Sequence, residues 1–411
     1  MTRVVVTGIG AITPLGHGAS TFWEGLVAGR SGIRAIQNWD ASDLDVRIAG
    51  EVPDFDPKDY IDVKKARRMD RFAQLGVAAT REALQDAGLE ITPENSDRVG
   101  IVVNTGGGGI PTIENEVNVK ATKGAKRVSP LLIPLFAPNM ASCQIAINFG
   151  IHGPTVTSVA ACAAGVQAFV DAVYMLERGE VDVVICGGTE AGLTPVAIAG
   201  MTNMGALSKR NDAPEKASRP FDAERDGFVF SEGAAIAILE TEEHAVKRGA
   251  RVLCQASGGA YTSDAYHITA NDPSGRGQTL AITRAIARAG LQPEDIDYVA
   301  AHATATKVGD IGETNSLKAA FGDHARDLSI SANKSMLGHL LGAAGAVSAL
   351  ACILSIRDSV VPPTINLETP DPECDLDYTP NVKKSRNIDA AIANGFGFGG
   401  QNACTVFRKI D

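Results

Sequence analysis

The sequence predicts an α/β protein with parallel sheet and crossover helices, and three observations carry that expectation. Short β-branched runs each lie near a helical pattern. Two helical segments are apolar or built of tiny residues on nearly every face, which places them between layers and asks for more than three layers. A strand, a reactive side chain and an Ala/Gly-rich helix follow one another twice along the chain, which hints at a duplicated fold.

Strands are expected over residues 4–7, 100–103, 156–159, 181–186, 234–239, 298–301 and 328–331. The two double-sided apolar helices are 163–178 and 340–357. Helices 72–87 and 277–289 carry charges on one face and belong outside, the second ending at Gly290 as a helix C-cap would. No Gly/Ser or Pro linker divides the chain, so two intimately packed halves are expected, 1–250 carrying a reactive cysteine and 251–411 carrying two histidines.

Composition narrows the class. The chain has 411 residues, 45% hydrophobic and 21% charged, close to an ordinary soluble globular protein. Its net charge of −10 argues against nucleic acid as a general partner, so any basic docking site is local. Seven cysteines, an odd number with no C-x-x-C pair, argue against a disulfide framework or zinc ribbon and for a reducing compartment. The N-terminus turns glycine-rich too soon for a signal peptide. The charge-free stretch 128–170 holds four prolines and cannot be one spanning helix, and the apolar stretch 340–356 reads as a helix buried inside protein. A soluble cytoplasmic protein is expected.

Cys162 lies where a predicted strand turns into a buried helix, among Ala160, Ala161, Ala163 and Ala164. A thiol there meets backbone N–H groups and the positive end of a helix, which lower its pKa, and small neighbours leave room for substrate. The other six cysteines read as gap-filling core residues. His302 follows a predicted strand, together with Thr304 and Thr306, where ligands bind in α/β sheets. His339 opens the second apolar helix, whose dipole keeps the ring neutral. Metal binding would need a short ligand spacing that these three residues lack, and a cysteine-protease arrangement would explain one histidine but not two.

Glycine runs occur at 106–109 and 395–400. Neither matches a dinucleotide fingerprint or a P-loop. The second run could supply N–H donors for an oxyanion hole and let Phe398 swing as a gate. Three basic clusters stand out against the acidic total: Lys64, Lys65, Arg67 and Arg68 with Arg71; Lys120 and Lys123 with Lys126 and Arg127; and Lys209 and Arg210.

Ordered motifs along nearly the whole length now identify a resemblance. They are Val4-Val5-Val6-Thr7-Gly8, Ala161-Cys162-Ala163, Ser218-Arg219-Pro220-Phe221-Asp222 with Arg225-Asp226-Gly227-Phe228, and Ser263-Asp264-Ala265-Tyr266-His267. His302 with Thr304, Thr306, Gly309 and Asp310, then Lys334-Ser335-Met336 with Gly338-His339, Val361-Pro362-Pro363-Thr364, and Phe396-Gly397-Phe398-Gly399-Gly400 complete the set. The chain resembles the elongating β-ketoacyl-ACP synthases, the synthase II type of the condensing-enzyme, thiolase-fold superfamily.

That resemblance implies a five-layered αβαβα sandwich of two similar halves, paired as a homodimer through the strand before the cysteine. It implies an acyltransferase in which Cys162 takes an acyl chain from acyl carrier protein (ACP), and the enolate of decarboxylated malonyl-ACP attacks it. His302 and His339 would stabilise the malonyl thioester oxygen, and the N–H groups of Cys162 and Phe398 the other oxyanion. Lys334, paired with Glu313, would order the site, with Asp310 in support. Thr304 and Thr306, and more weakly Thr269, would hold the phosphopantetheine arm. The basic clusters would dock ACP, and no metal or cofactor beyond that arm is implied.

The chain departs from the family pattern at Ala303, Ala305, Asn333 and Gln401. Gly107 stands where several relatives have a bulky residue at the acyl-pocket floor, which suggests a deeper pocket. Alternatives are the ketosynthase of a type II polyketide or mycolate-like pathway, and a non-catalytic partner subunit, against which Cys162 argues.

Overall fold

Residues 2–410 are described in the computed structural model. Ten strands make two groups of identical topology. In the first half these are β1 (Val4–Thr13), β2 (Val99–Asn104), β3 (Thr155–Val156), β4 (Val183–Glu190) and β5 (Gly233–Thr241), in the spatial order β3-β2-β4-β5-β1. The second half repeats it with β6 (Cys254–Ser263), β7 (Tyr298–Ala300), β8 (Ser329–Ser331), β9 (Ala390–Gly397) and β10 (Gln401–Arg408), in the order β8-β7-β9-β10-β6. The three strands far from the junction run parallel in each half, and the last two pair antiparallel. The two sheets join where β1 meets β6, at Val5↔Gln255 and Val6↔Cys254.

Helices complete five layers. α1 (Arg71–Asp86) covers β1 and β5 from outside. α3 (Ala164–Glu177) and α6 (Ala344–Asp358) cross between the two sheets, while α4 (Arg276–Arg288) backs β6 and β10, with α5 (Lys307–Phe321) packed on it. α2 (Ile110–Lys123) lies outside this stack with no buried residue. The central layer is dense because α3 and α6 meet through glycine. A Cβ on Gly165 would come within 2.5 Å of Ala346 N, and one on Gly345 within 2.5 Å of Val166 N. The only segment among the described residues long and apolar enough to cross a membrane, Leu341–Asp358, is this central helix with its lead-in turn, 83% buried in protein.

Several boundaries differ from the sequence expectation. β1 runs on past residue 7 to Thr13, and its Gly8 and Gly10 lie beneath α1, where a Cβ would sit 2.5 Å from Ala83 O and 2.1 Å from Ala79 O. β3 stops at Val156, so 157–159 are not strand. β6 and β9 escaped prediction because glycines at 258, 259, 395 and 397 dilute their β signal, and β10, which has no glycine, was not predicted either. At Gly259 the reason is packing, since a Cβ would lie 2.5 Å from Val170 on α3. Gly395 and Gly397, from the second glycine run, finish β9. α1 and α4 form as expected, capped by Asp70 at the start of one and followed by Gly290 at φ 70° after the other.

Candidate active site

Both halves build one cavity of about 280 Å³. Cys162, Met204 and Phe228 come from the first half, and His302, His339 and Phe398 from the second.

Cys162 sits in a 3-10 turn, Ala161–Ala163, that leads into α3. Ala161 takes φ 46°, a left-handed conformation that non-glycine residues adopt only under constraint. The end of β9 presses against this turn, where a Cβ on Gly397 would lie 2.9 Å from Cys162 N. The backbone N–H groups of Phe398 and of Cys162 itself lie near enough to the sulfur to favour its charged form. They do not ionise it. Burial pushes the thiol up to about 11, against the pull of Lys334 and those donors, so the resting group is neutral and the lowered pKa expected from the helix end is not found.

His302 lies two residues past β7 and is buried. Its N–H and that of Ala303 donate to Glu313 at 2.8 and 2.7 Å, which clamps a loop containing left-handed Ala303 (φ 29°) and Ala305 (φ 64°). Lys334 does not pair with Glu313 as expected. Its ammonium donates to the His302 carbonyl, and among the described residues it makes no ion pair, while burial lowers it to about 8. Glu313 is instead spent on backbone N–H groups and Asn394.

His339 differs from expectation too. It pairs with Phe230 as an isolated bridge, and a separate turn, Leu341–Ala343, intervenes before α6 begins at Ala344. Its neutrality comes first from burial and then from Lys334, which hold both imidazoles well below the ordinary histidine range. The rings stand 5.5 Å apart and nearly perpendicular. Phe228 packs edge-on against His339 at 5.2 Å. Neither nitrogen of His339 has a hydrogen-bond partner in the protein, although both are buried. Such orphaned groups cost about 1–3 kcal/mol each, and they mark where a ligand's polar atom belongs.

Thr304, Thr306 and Thr269 all line the same cavity, the first two hydroxyls 3.1 Å apart. Phe398 is 38% exposed at its mouth. Gly107 is not part of the lining. Ile110 Cδ1 lies 2.8 Å from where its Cβ would be, so Ile110 takes the space that the sequence suggested was open. Asp310 is a buried support, accepting from Phe221 and Ala305 N–H and facing Arg225 at 3.3 Å. Sequence reading gave Arg225 no role, yet it is fully buried and also bonds the Thr306 and Lys307 carbonyls.

Among the basic clusters, Lys64, Lys65, Arg67, Arg68, Lys126 and Arg127 are exposed and make no ion pair within the described residues. Lys209 and Arg210 are already engaged, with Asp45 at 2.9 Å and Asp226 at 3.7 Å, which removes them as free charge.

Comparison with known proteins agrees with this geometry. Residues 1–245 match the beta-ketoacyl synthase N-terminal domain, and 253–368 its C-terminal domain. The chain is 49% identical over 407 residues, 99% of its length and 98% of the relative's, to a 3-oxoacyl-[acyl-carrier-protein] synthase 2 of Synechocystis sp.. Its backbone superposes on the ishigamide ketosynthase/chain length factor with a TM-score of 0.93 at 34% identity, each chain fully covered. A type II polyketide ketosynthase, solved with its acyl-carrier protein and bound to the hexaketide, gives 0.91 at 33% identity, also over both whole chains. With the matched models spanning both halves, the chain belongs to the β-ketoacyl synthase family.

Proposed function

We propose that the protein is a 3-oxoacyl-ACP synthase that elongates fatty acyl chains. The observation that carries this reading is one cavity in which the Cys162 thiol, near the backbone N–H groups of Cys162 and Phe398, meets two neutral imidazoles, that of His339 without a hydrogen-bond partner. The Cys162 sulfur attacks the acyl-ACP thioester, and its proton leaves with the phosphopantetheine sulfur. The N–H groups of Cys162 and Phe398 stabilise the tetrahedral oxyanion. Malonyl-ACP then enters, its C–CO2 bond breaks, and the electron pair becomes an enolate whose oxygen accepts hydrogen bonds from His302 and His339. Only neutral rings suit that task, since they donate without surrendering a proton. The enolate carbon bonds the acyl carbon, the C–S bond to Cys162 breaks with its electron pair staying on the sulfur, which takes a proton from water to restore the thiol, and 3-oxoacyl-ACP leaves two carbons longer. Thr304 and Thr306 hold the arm, and no cofactor beyond it enters the scheme.

The test is the purified chain with acyl-ACPs of graded length and malonyl-ACP. A product two carbons longer is expected, and no product with any chain length would reject the reading. The name of the Synechocystis relative favours fatty acid elongation, whereas the polyketide ketosynthases favour a second reading in which the same residues serve polyketide assembly. Repeated extension of an unreduced product would select that second reading.

ACP is the partner, docked through Lys64, Lys65, Arg67, Arg68, Lys126 and Arg127, in a cytoplasmic enzyme. Opposite charge speeds and orients such encounters. Reversing Lys65 and Arg68 to glutamate is expected to raise KM for acyl-ACP about tenfold, with alkylation by iodoacetamide unchanged; unaltered ACP kinetics would remove the assignment.

The enzyme is a homodimer through the unpaired edge of β3. Val156, Val159, Ile133 and Ile147 are exposed there, the last two above 60%, too much apolar edge to leave in water. Val156→Asp is expected to shift sedimentation from dimer to monomer, and a wild-type monomer would refute the pairing.

A further inference from the structure

The duplication gives each half a turn of the same shape. Ala161–Ala163 and Leu341–Ala343 are single 3-10 turns leading into α3 and α6. Each begins with a left-handed residue, Ala161 at φ 46° and Leu341 at φ 43°. The first presents Cys162 to the cavity, whereas the second has Gly342 at the matching place.

That second turn is closed by a carboxylate. Glu190, the last residue of β4, is fully buried, and among the described residues it forms no ion pair. One oxygen accepts from Gly342 N–H at 3.0 Å and Gly106 N–H at 2.7 Å, and the other lies 3.3 Å from the Thr105 hydroxyl. The fit depends on glycine. A Cβ on Gly106 would lie 2.6 Å from the Glu190 oxygen, and one on Gly342 would lie 2.1 Å from Gly106 N. Burial pushes the acid up to about 7, against the pull of the backbone N–H groups that offset part of its lost solvation.

What the clamp holds is part of the site. Leu341 lines the cavity with Cys162, and His339 lies two residues before it. A left-handed leucine stays in place only when its surroundings over-determine it. The Gly342 N–H bond does so from the next residue.

We propose that Glu190 is a positioning residue for acyl transfer: its carboxylate ties the Leu341–Gly342 turn to the 105–107 loop and so fixes the cavity wall facing the acyl chain on Cys162. This rests on the reading of Cys162 as the acyl-bearing nucleophile. A clamp made of hydrogen bonds makes a specific demand on substitutions. Glu190→Gln retains an oxygen for both glycine N–H groups and can turn its NH2 toward the Thr105 hydroxyl. Glu190→Ala leaves both N–H groups without an acceptor.

The experiment measures transfer from acyl-ACPs of graded length by intact-protein mass, beside alkylation of Cys162 by iodoacetamide, a reagent too small to need the wall. Glu190→Gln is expected within about threefold of wild type in both. Glu190→Ala is expected to lose about 10²-fold in long-chain transfer, as a displacement near 1 Å does, with alkylation changed less than about threefold. Equal transfer by Ala and wild type, a Gln variant as impaired as Ala, or a parallel fall in alkylation would each overturn the proposal. Should the Ala variant fail to fold, Glu190→Asp, which withdraws the carboxylate by about one C–C bond, is expected to show the same split at about tenfold, and wild-type behaviour there would overturn it. If the wild type itself formed no acyl-enzyme, the parent reading would fall instead.

Discussion

His339→Ala is expected to lower condensation about 10²–10³-fold, the usual effect of deleting one oxyanion donor, while acyl transfer to Cys162 stays within about threefold. The split follows from where the ring stands. It shares a cavity with the thiol, but the N–H groups that favour the thiol's charged form belong to the backbone, which the substitution leaves in place. His302→Ala should behave alike, because the carbonyl that takes the Lys334 ammonium, and the N–H that binds Glu313, belong to the backbone and survive. Stopped-flow release of CO2 from malonyl-ACP, beside intact-mass acylation, separates the two steps. Equal losses in both would mean that the imidazoles serve the thiol and not the enolate.

Cys162→Ala is expected to abolish the acyl-enzyme mass increment at every chain length and to bring condensation below detection, while malonyl decarboxylation persists. The accompanying wild-type measurement is the pH dependence of alkylation. A thiol held near 11 ionises further with each rise in pH, so the rate should climb about tenfold per unit from pH 7 to 10. A plateau below pH 8 would show that the sulfur rests as thiolate. An acylated Cys162→Ala protein would place the nucleophile elsewhere.

Much of this site was legible because its residues announce themselves locally. Cys162, His302 and His339 each stand beside a strong strand or helix pattern, and the double-sided apolar character of α3 and α6 foretold a central layer. The electrostatics were less legible. Sequence shows that a cysteine precedes a helix, but how much water it keeps depends on the end of β9 and on α6, elements from the other half, and that desolvation outweighs the helix end. The Lys334–Glu313 pairing failed for a related reason: both side chains found backbone partners closer than each other. Glu190 carried only a faint signal, a lone acid closing an apolar strand, and Gly106 and Gly342 reveal its purpose only once the chain is folded. Gly107 misled because an open position in sequence was filled by its neighbour Ile110.

The seam between the halves has one more consequence. The thiol comes from one repeat, while the imidazoles and one N–H donor come from the other, and the cavity between them is walled by both. Neither repeat owns a reaction by itself. A chain severed between β5 and β6 would keep every chemical group and yet be inert until its pieces re-docked, so activity here doubles as a reporter of interdomain assembly.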